Sequence, residues 1–360
     1  MACCDVEPYI REALDSVMKQ SFADWECLCG IEDSKDKTED ILREIAAAEP
    51  RIRIFTHPRS GSCSATRNIG IDMAQGEYVI FLDGDDTIAE ESLARIHDKI
   101  AARPGADIYP CVIIACHEGM DKREIRENFP PGSSPEELTG PEAIILLDRL
   151  GPDRFCPMLQ ICVFRREFLV EHGLKCIYGL RRQDSEFSPR AIYLAKRIVP
   201  LHEPFYLYRI RGNSVSSAKG AGYFHKDWAV INKSLFAFHA KVSREPGFDR
   251  RISECWARLW LPRFLYFWFD PWNIRSIPRE QRLETLGIVF SDGFGDFNLL
   301  LRFADVHRRV AGWCVRIFVR RSALRWMVER FFLLYYGLSD MKNRKCVVRT
   351  ENSACGGDRA

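Results

Sequence analysis

The sequence predicts an α/β protein: a mostly parallel sheet flanked by helices, followed by a mainly α-helical C-terminal region. Three observations predict it. Helical and strand-like stretches alternate from residue 8 to residue 82, the order that crossover connections between parallel strands require. Two strand-like runs end abruptly in acids, Trp25–Ile31 in Glu32-Asp33 and Tyr78–Leu82 in Asp83-Gly84-Asp85-Asp86. From about residue 218 onward the chain turns aromatic and basic.

The elements follow in order. Ile10, Leu14, Val17 and Met18 fall on one face of a helix over Pro8–Gln20, with Pro8 suited to its first turn. Trp25–Ile31 alternates as a strand, Thr38–Ala48 is helical and Arg51–Phe55 is a short strand. Gly61–Ser64 is a small-residue loop before a helix over Ala65–Ala74. Tyr78–Leu82 reads as a buried strand. Ser92–Ala102 is a helix and Asp107–Ala115 an apolar strand. Glu118–Pro141 is charged and rich in Pro, Gly and Ser, so a surface excursion is expected. Ile161–Arg165 reads as a strand, Glu167–Glu171 as a short helix, and Arg197–His202 and Pro204–Arg209 as extended segments.

Composition bounds the function. With 360 residues, about two domains are expected, and 46% apolar residues supply a sizeable core. A net charge of +2 argues against a dedicated nucleic-acid binder. The 14 Cys are scattered with no CxxC pair, which points to reduced, buried thiols rather than disulfides or a zinc site. No signal peptide and no apolar run of about 18 residues is found, so a cytoplasmic location is expected.

The chemistry concentrates at the acids. In parallel sheets the C-terminal strand tips share one edge, where open α/β sheets bind ligands. Asp83 and Asp85 can reach one divalent cation, and Mg²⁺ or Mn²⁺ favours such oxygens together with substrate phosphates. The other local reading is a turn capping the next helix, with Asp85, Asp86 or Thr87 as N-cap and Glu90 and Glu91 in its first turn. The local sequence leaves both open.

Four stretches, in order, carry a resemblance. They are Glu7-Pro8-Tyr9-Ile10 through Val17 with Gln20-Ser21-Phe22; Glu32-Asp33-Ser34-Lys35-Asp36-Lys37-Thr38; Ser64-Ala65-Thr66-Arg67-Asn68-Ile69-Gly70; and Gly76-Glu77-Tyr78 through Asp86. A fifth lies within residues 179–217. On these, the chain resembles a family 2 glycosyltransferase of the GT-A fold over residues 6–217.

The resemblance implies an inverting transfer of sugar from a nucleotide-sugar, of the UDP type, to a hydroxyl of a glycan or lipid-linked acceptor. It implies Asp184 as catalytic base, although a helix N-cap also suits that position. Asp83 and Asp85 serve the donor's ribose, diphosphate and metal, with Asp86 as a further ligand. Asp33 accepts from the base's imide, and Arg67 lies toward the diphosphate or sugar. Arg209 and Arg211 alternate on one face of an extended segment, where they neutralise diphosphate or are simply solvated.

Two departures stand out. Gln183 replaces the Glu that precedes the base, keeping the shape but removing a charge. The family's first apolar strand is reduced to Met1-Ala2-Cys3-Cys4-Asp5, which predicts a gap beside the Trp25–Ile31 strand and a true start codon upstream. That loss gives weight to an alternative, a catalytically inactive binding or scaffold protein. A rival resemblance also exists. Leu82-Asp83-Gly84-Asp85-Asp86-Thr87 fits the Asp-x-Asp-x-Thr loop of haloacid-dehalogenase phosphatases, but that loop normally opens its domain.

Residues 218–339 are expected to form a helical region. Arg302–Arg330 holds eight Arg against Asp305 and Glu329, and Arg316, Arg320 and Arg321 share a helical face. Such a face can contact an anionic membrane surface, or can pack as an ordinary subdomain with solvated arginines. Residues 340–360 read as a disordered tail.

Overall fold

The computed structural model describes residues 1–151, 155–211, 225–269, 277–304, 306–321, 325, 327–329 and 331–332. The tail at 340–360 and the Gly212–Ser216 end of the fifth stretch lie outside them. The chain divides into two compact units, Met1–Lys219 and Gly220–Ala360.

In the first unit, a parallel sheet forms from β1 (Ala2–Cys3), β2 (Cys27–Glu32) and β3 (Ile52–His57), joined by α1 (Ile10–Met18) and α2 (Thr38–Ala48). The register runs from Cys27 opposite Ile52 to Glu32 opposite His57. Ile10, Ala13, Leu14 and Val17 are buried along one face of α1, as their spacing predicts.

The expected gap at the first strand is filled by two residues. Ala2 lies opposite Gly30 on one side, and on the other its N–H donates to Leu82 O at 3.0 Å while its carbonyl accepts from Gly84 N at 2.9 Å. Both backbone groups of Ala2 are thereby paired, and this single residue ties the parallel sheet to the segment carrying Asp83.

Antiparallel pairs enter from residue 78 onward. The strand β4 (Tyr78–Ile80) pairs with β9 (Cys162–Arg165), which also pairs with β6 (Ile108–Pro110). A third sheet runs β5 (Thr87–Ile88), β10 (Pro204–Ile210), β7 (Val112–His117) and β8 (Arg123–Arg126). The single strand expected over Asp107–Ala115 is therefore two. Pro110 cannot donate to a ladder, and past it Cys111 N bonds Ile161 O while Val112 N bonds Glu203 O, so the chain crosses between sheets.

The excursion at 118–141 holds β8, paired to β7 by a turn at Glu118–Lys122 with Gly119 at φ +72°. It is followed by a helix that apolar periodicity does not mark, α5 (Gly140–Leu150), which lies between α4 (Ser92–Ala102) and α6 (Arg166–Glu171) in the chain. Its start is a capping box: Thr139 Oγ1 accepts from Glu142 N, and Glu142 Oε2 from Thr139 N.

Helix α3 (Ser64–Met73) packs on β2 at Gly30, where a Cβ would overlap Thr66 Cγ2 and the Phe55 ring. Gly30→Ala is expected to destabilise the fold by ~1–3 kcal/mol, measured as a lowered urea midpoint with an unchanged slope.

The second unit is helical among the described residues, with segments His225–Val242, Arg250–Phe269, Arg279–Val289, Gly295–Leu301 and Val306–Arg320. Trp256, Phe264, Trp268 and Phe297 are fully buried in it, so most of the aromatic run at 256–268 is core. No described helix is long and apolar enough to cross a membrane.

Candidate active site

The acids after β2 and β4 flank β1 on one edge of the sheet. Asp83 bridges Ala2 on one side, while Gly30, three residues before Asp33, pairs with Ala2 on the other. Two loops are locked together beneath them. Asp36 accepts from Glu7 N and Thr38 N, Thr38 Oγ1 accepts from Val6 N, and Asp5 accepts from Lys35 N and Arg59. These bonds account for the Asp36-x-Thr38 spacing, since each side chain satisfies backbone donors that the turn leaves free. Glu32 faces the other way. It is 4% exposed, and its Oε1 accepts from the Ser60 hydroxyl and from Ser60 N and Gly61 N. Asp33 is exposed at φ +42°, and its carboxylate has no partner among the described residues.

Asp83 is held from both sides. Its Oδ1 accepts from Arg67 Nη2 at 2.8 Å and its Oδ2 from Gln160 Nε2 at 2.6 Å. Arg67 reaches it from buried α3, with its side chain 5% exposed. Asn68, the next residue, clips the segment that leads to Asp184. Its amide donates to Cys176 O and accepts from Cys176 N, both at 2.8 Å. Ser64 adds a bond from Gly179 N at 2.9 Å. One helix thus fixes both the donor-side acid and the approach to α7 (Asp184–Leu194).

Asp184 is the first residue of α7, half-buried, and its Oδ1 accepts from Ser185 N at 2.8 Å. Burial raises its pKa above the ordinary carboxylate range, and the nearby Arg67 charge opposes that rise. Gln183 is buried against Arg67. The amide orientation that satisfies both its ends accepts from Arg67 Nη1 and donates to Leu180 O at 2.7 Å. Arg67 therefore gives one guanidinium nitrogen to Asp83 and another to the residue before Asp184.

Asp85 and Asp86 are placed differently. An Asp85 carboxylate oxygen accepts from Arg211, and its carbonyl accepts from Arg209 Nε at 3.1 Å. Burial and the Asp83 charge both raise its pKa. Arg209 also bonds Glu12, and both guanidiniums lie over the Tyr9 ring, at 5.1 and 4.5 Å from its centre. The two arginines do share one face. Asp86 is 1% exposed, and both its oxygens are taken, by Tyr206 Oη at 2.6 Å and Arg209 N at 2.7 Å. Burial pushes its pKa up to about 8, with the Asp83 and Asp85 charges adding. Its carboxylate fastens the acid loop to β10, which does not fit a metal ligand. No helix begins at Asp85–Thr87, where Thr87 starts β5 instead, so the capping alternative is not realised.

The donor set suits a small hard cation only in part. The second oxygen of Asp85 has no partner outside its own residue among the described residues, but Asp83 is already engaged. No three His, Cys, Asp or Glu side chains converge as a metal cage among the described residues. A cation here must draw further ligands from a substrate's phosphates and water, as Mg²⁺ and Mn²⁺ commonly do.

Three participants escape a reading of the sequence. Tyr206, Gln160 and Tyr9 carry no local signal, because each meets its partner only across a long stretch of chain: Tyr206 with Asp86, Gln160 with Asp83, Tyr9 with Arg209. Glu32, already visible as an acid at a strand tip, is the one whose partners the sequence does not show. The nucleophile required of Asp83 by the phosphatase resemblance is at odds with its two bonded oxygens. Every described Cys is a free thiol, and Cys4, Cys63, Cys116 and Cys156 are only half-buried.

Residues 1–173 match the family model described as glycosyl transferase family 2. The chain is 29% identical over 214 residues to the uncharacterized glycosyltransferase EpsJ of Bacillus subtilis (strain 168), covering 59% of this chain and 60% of that protein. It thus spans less than two thirds of that relative. It is 29% identical over 225 residues to the O-antigen biosynthesis protein RfbC of Myxococcus xanthus, covering 60% of this chain and 16% of that protein. Its fold is similar to that of S. aureus TarS 1-349, solved in complex with UDP-GlcNAc, with a TM-score of 0.70 at 20% identity over 94% of this chain and 90% of that one. Residues 1–173 thus match glycosyl transferase family 2, and the chain has the GT-A fold.

Proposed function

We propose that the protein is an inverting, metal-dependent glycosyltransferase of the hexosyltransferase type. It moves a sugar from a UDP-sugar to a hydroxyl acceptor, a glycan or lipid-linked glycan, in the synthesis of surface polysaccharide, lipopolysaccharide or glycolipid. The observation that carries this reading is the Arg67 bridge. It holds the donor-side acid Asp83 and the residue preceding the base Asp184, about 100 residues later, on one guanidinium.

The roles follow from chemistry. Asp184 takes the acceptor's proton as the hydroxyl attacks the anomeric carbon, and one direct displacement inverts configuration. Asp33, free and exposed, accepts from the imide N–H of uracil. Asp83, oriented by Arg67 and Gln160, serves the ribose and diphosphate, and Asp85 with Asp83 holds Mn²⁺ or Mg²⁺. When bound, that cation supplies charge neutralisation to the leaving diphosphate. Arg209 and Arg211 add positive charge to the same face, and a diphosphate there competes with Asp85 for Arg211. Asp86 positions the loop. Support for the substrate class comes from the relative named for O-antigen biosynthesis and the neighbour solved with UDP-GlcNAc.

The helical unit fits contact with the inner membrane surface. The helix Val306–Arg320 leaves Arg309, Val310, Trp313 and Arg320 exposed, an aromatic residue among cations. Co-sedimentation with anionic but not neutral vesicles tests this.

Release of UDP from a panel of UDP-sugars with Mn²⁺, with and without chelator, tests the whole reading. Release that requires metal and Asp184 supports it. Absence of release from every nucleotide-sugar favours the inactive scaffold, and Asp83-dependent phosphate release from a phosphomonoester favours the phosphatase. Gln183→Glu is expected to place a second carboxylate beside Asp184 and so move the acid limb of the rate profile to higher pH. Initial rates measured across pH check it.

A further inference from the structure

We propose that the helical unit carries its own binding site, for an anionic glycan segment: a sugar or polyol bearing phosphate or carboxylate. The site is a cavity of about 610 Å³ where the turn after His225–Val242, the start of Arg250–Phe269 and the helix Gly295–Leu301 meet. That volume is in the range of small-molecule sites. None of its residues belongs to the donor or base machinery.

Three guanidiniums line it, Arg244, Arg250 and Arg302. Among the described residues Arg244 has one loose ion pair, with Asp296 at 4.0 Å. Arg250 lies over the Phe303 ring, 5.3 Å from its centre, and neither it nor Arg302 has a side-chain hydrogen-bond partner among the described residues. Arg250 and Arg302, with no carboxylate partner among the described residues, leave this rim open to an oxyanion, which a planar guanidinium can bind through two N–H groups at once. The nearby acid Asp249 does not neutralise them, because it is paired with Arg251.

The remaining lining is suited to a sugar. Phe248 and Phe303 offer flat apolar walls to C–H faces, and Ser243 and Asn298 add polar residues to the lining. The base of the cavity is rigid. Ser253 is fully buried and bonds His239 Nε2 at 2.9 Å, and His239 sits among the Phe248, Trp256 and Phe303 rings. A fixed aromatic floor and a cationic rim are a pre-formed site. Combined with the proposed transfer reaction, on which this selection rests, the site selects an acceptor or product of anionic polysaccharide type.

Binding tests it without reference to transfer. The full chain, saturated with UDP and Mn²⁺ to close the donor site, is titrated calorimetrically with a short glycerol-phosphate oligomer, a glucuronate oligomer and a neutral glucan oligomer. An anionic oligomer is expected to bind and the neutral one to bind at least tenfold more weakly. The arm that binds tighter, phosphate or carboxylate, names the recognised group. Arg250→Gln with Arg302→Gln should weaken binding at least tenfold, and the single Arg302→Gln, on an exposed side chain, should weaken it in the same direction. Removing the same two charges elsewhere, with Lys19→Gln and Arg43→Gln on exposed positions of the first unit, should leave it unchanged. Equal affinity in the cavity variants, or equal loss in the surface control, overturns the proposal. Asp184→Asn should still bind, so a failure of the transfer reading leaves this result standing.

Discussion

Asp184→Asn is expected to lower the rate of transfer by about 10²- to 10⁴-fold while leaving UDP affinity unchanged. The amide keeps the shape at the start of α7 and can still accept from Ser185 N, but it cannot take a proton. A second readout separates this from unfolding. The Asp184 pKa is raised by burial, so the folded state holds its proton more tightly than the unfolded chain does. Such a group contributes most to stability below its unfolded pKa, and that contribution is lost as pH rises through the folded value. At neutral pH the charged Asp184 therefore costs stability, and Asn removes that cost. The variant's melting temperature at neutral pH should equal or exceed that of the parent. In the parent, kcat/KM should fall as pH drops, along a limb above the ordinary carboxylate range. A variant that loses activity together with several degrees of melting temperature would contradict a base at this position.

Arg67→Met is expected to destabilise the chain by ~3 kcal/mol, read from urea denaturation, and to abolish transfer. Removing one partner of a buried pair strands the other. Asp83 is 26% exposed at its side chain and keeps Gln160, which holds the loss at the lower end of what such breaks cost. Arg67→Lys should rescue little. Two nitrogens of the guanidinium serve Asp83 and Gln183 separately, and a single ammonium has no fork with which to bridge them. The lysine variant is expected to recover part of the stability but not the rate, because the geometry linking the donor acid to α7 is lost.

Much of this was legible in the chain. Period-2 and period-3.6 patterns mark the alternating elements up to residue 82, because each buries one apolar face in a fixed direction. The motifs at Asp36-x-Thr38 and Arg67-Asn68 are legible because they close local backbone accounts or clip one specific loop. Thr139-Gly140-Pro141-Glu142 is a readable helix start that periodicity alone overlooks. The strand β8 was not readable, since a charged edge strand has no apolar alternation to betray it.

The amino-acid order alone carries the alternation of elements up to residue 82, the family resemblance and the identity of the carboxylates at strand ends. Local chain stiffness and one-sided burial set these, and both act over a few residues. The division of labour among the acids comes instead from partners that the fold brings together. Asp83, Asp85 and Asp86 are nearly equivalent in sequence, yet Arg67 and Gln160 claim the first, Arg211 the second, and Tyr206 and Arg209 close off the third. Those partners come from 16 to 126 positions away. Sheet order brings them there, and burial then makes each pairing obligatory, because an unpaired charge in the interior costs more than the fold can spare.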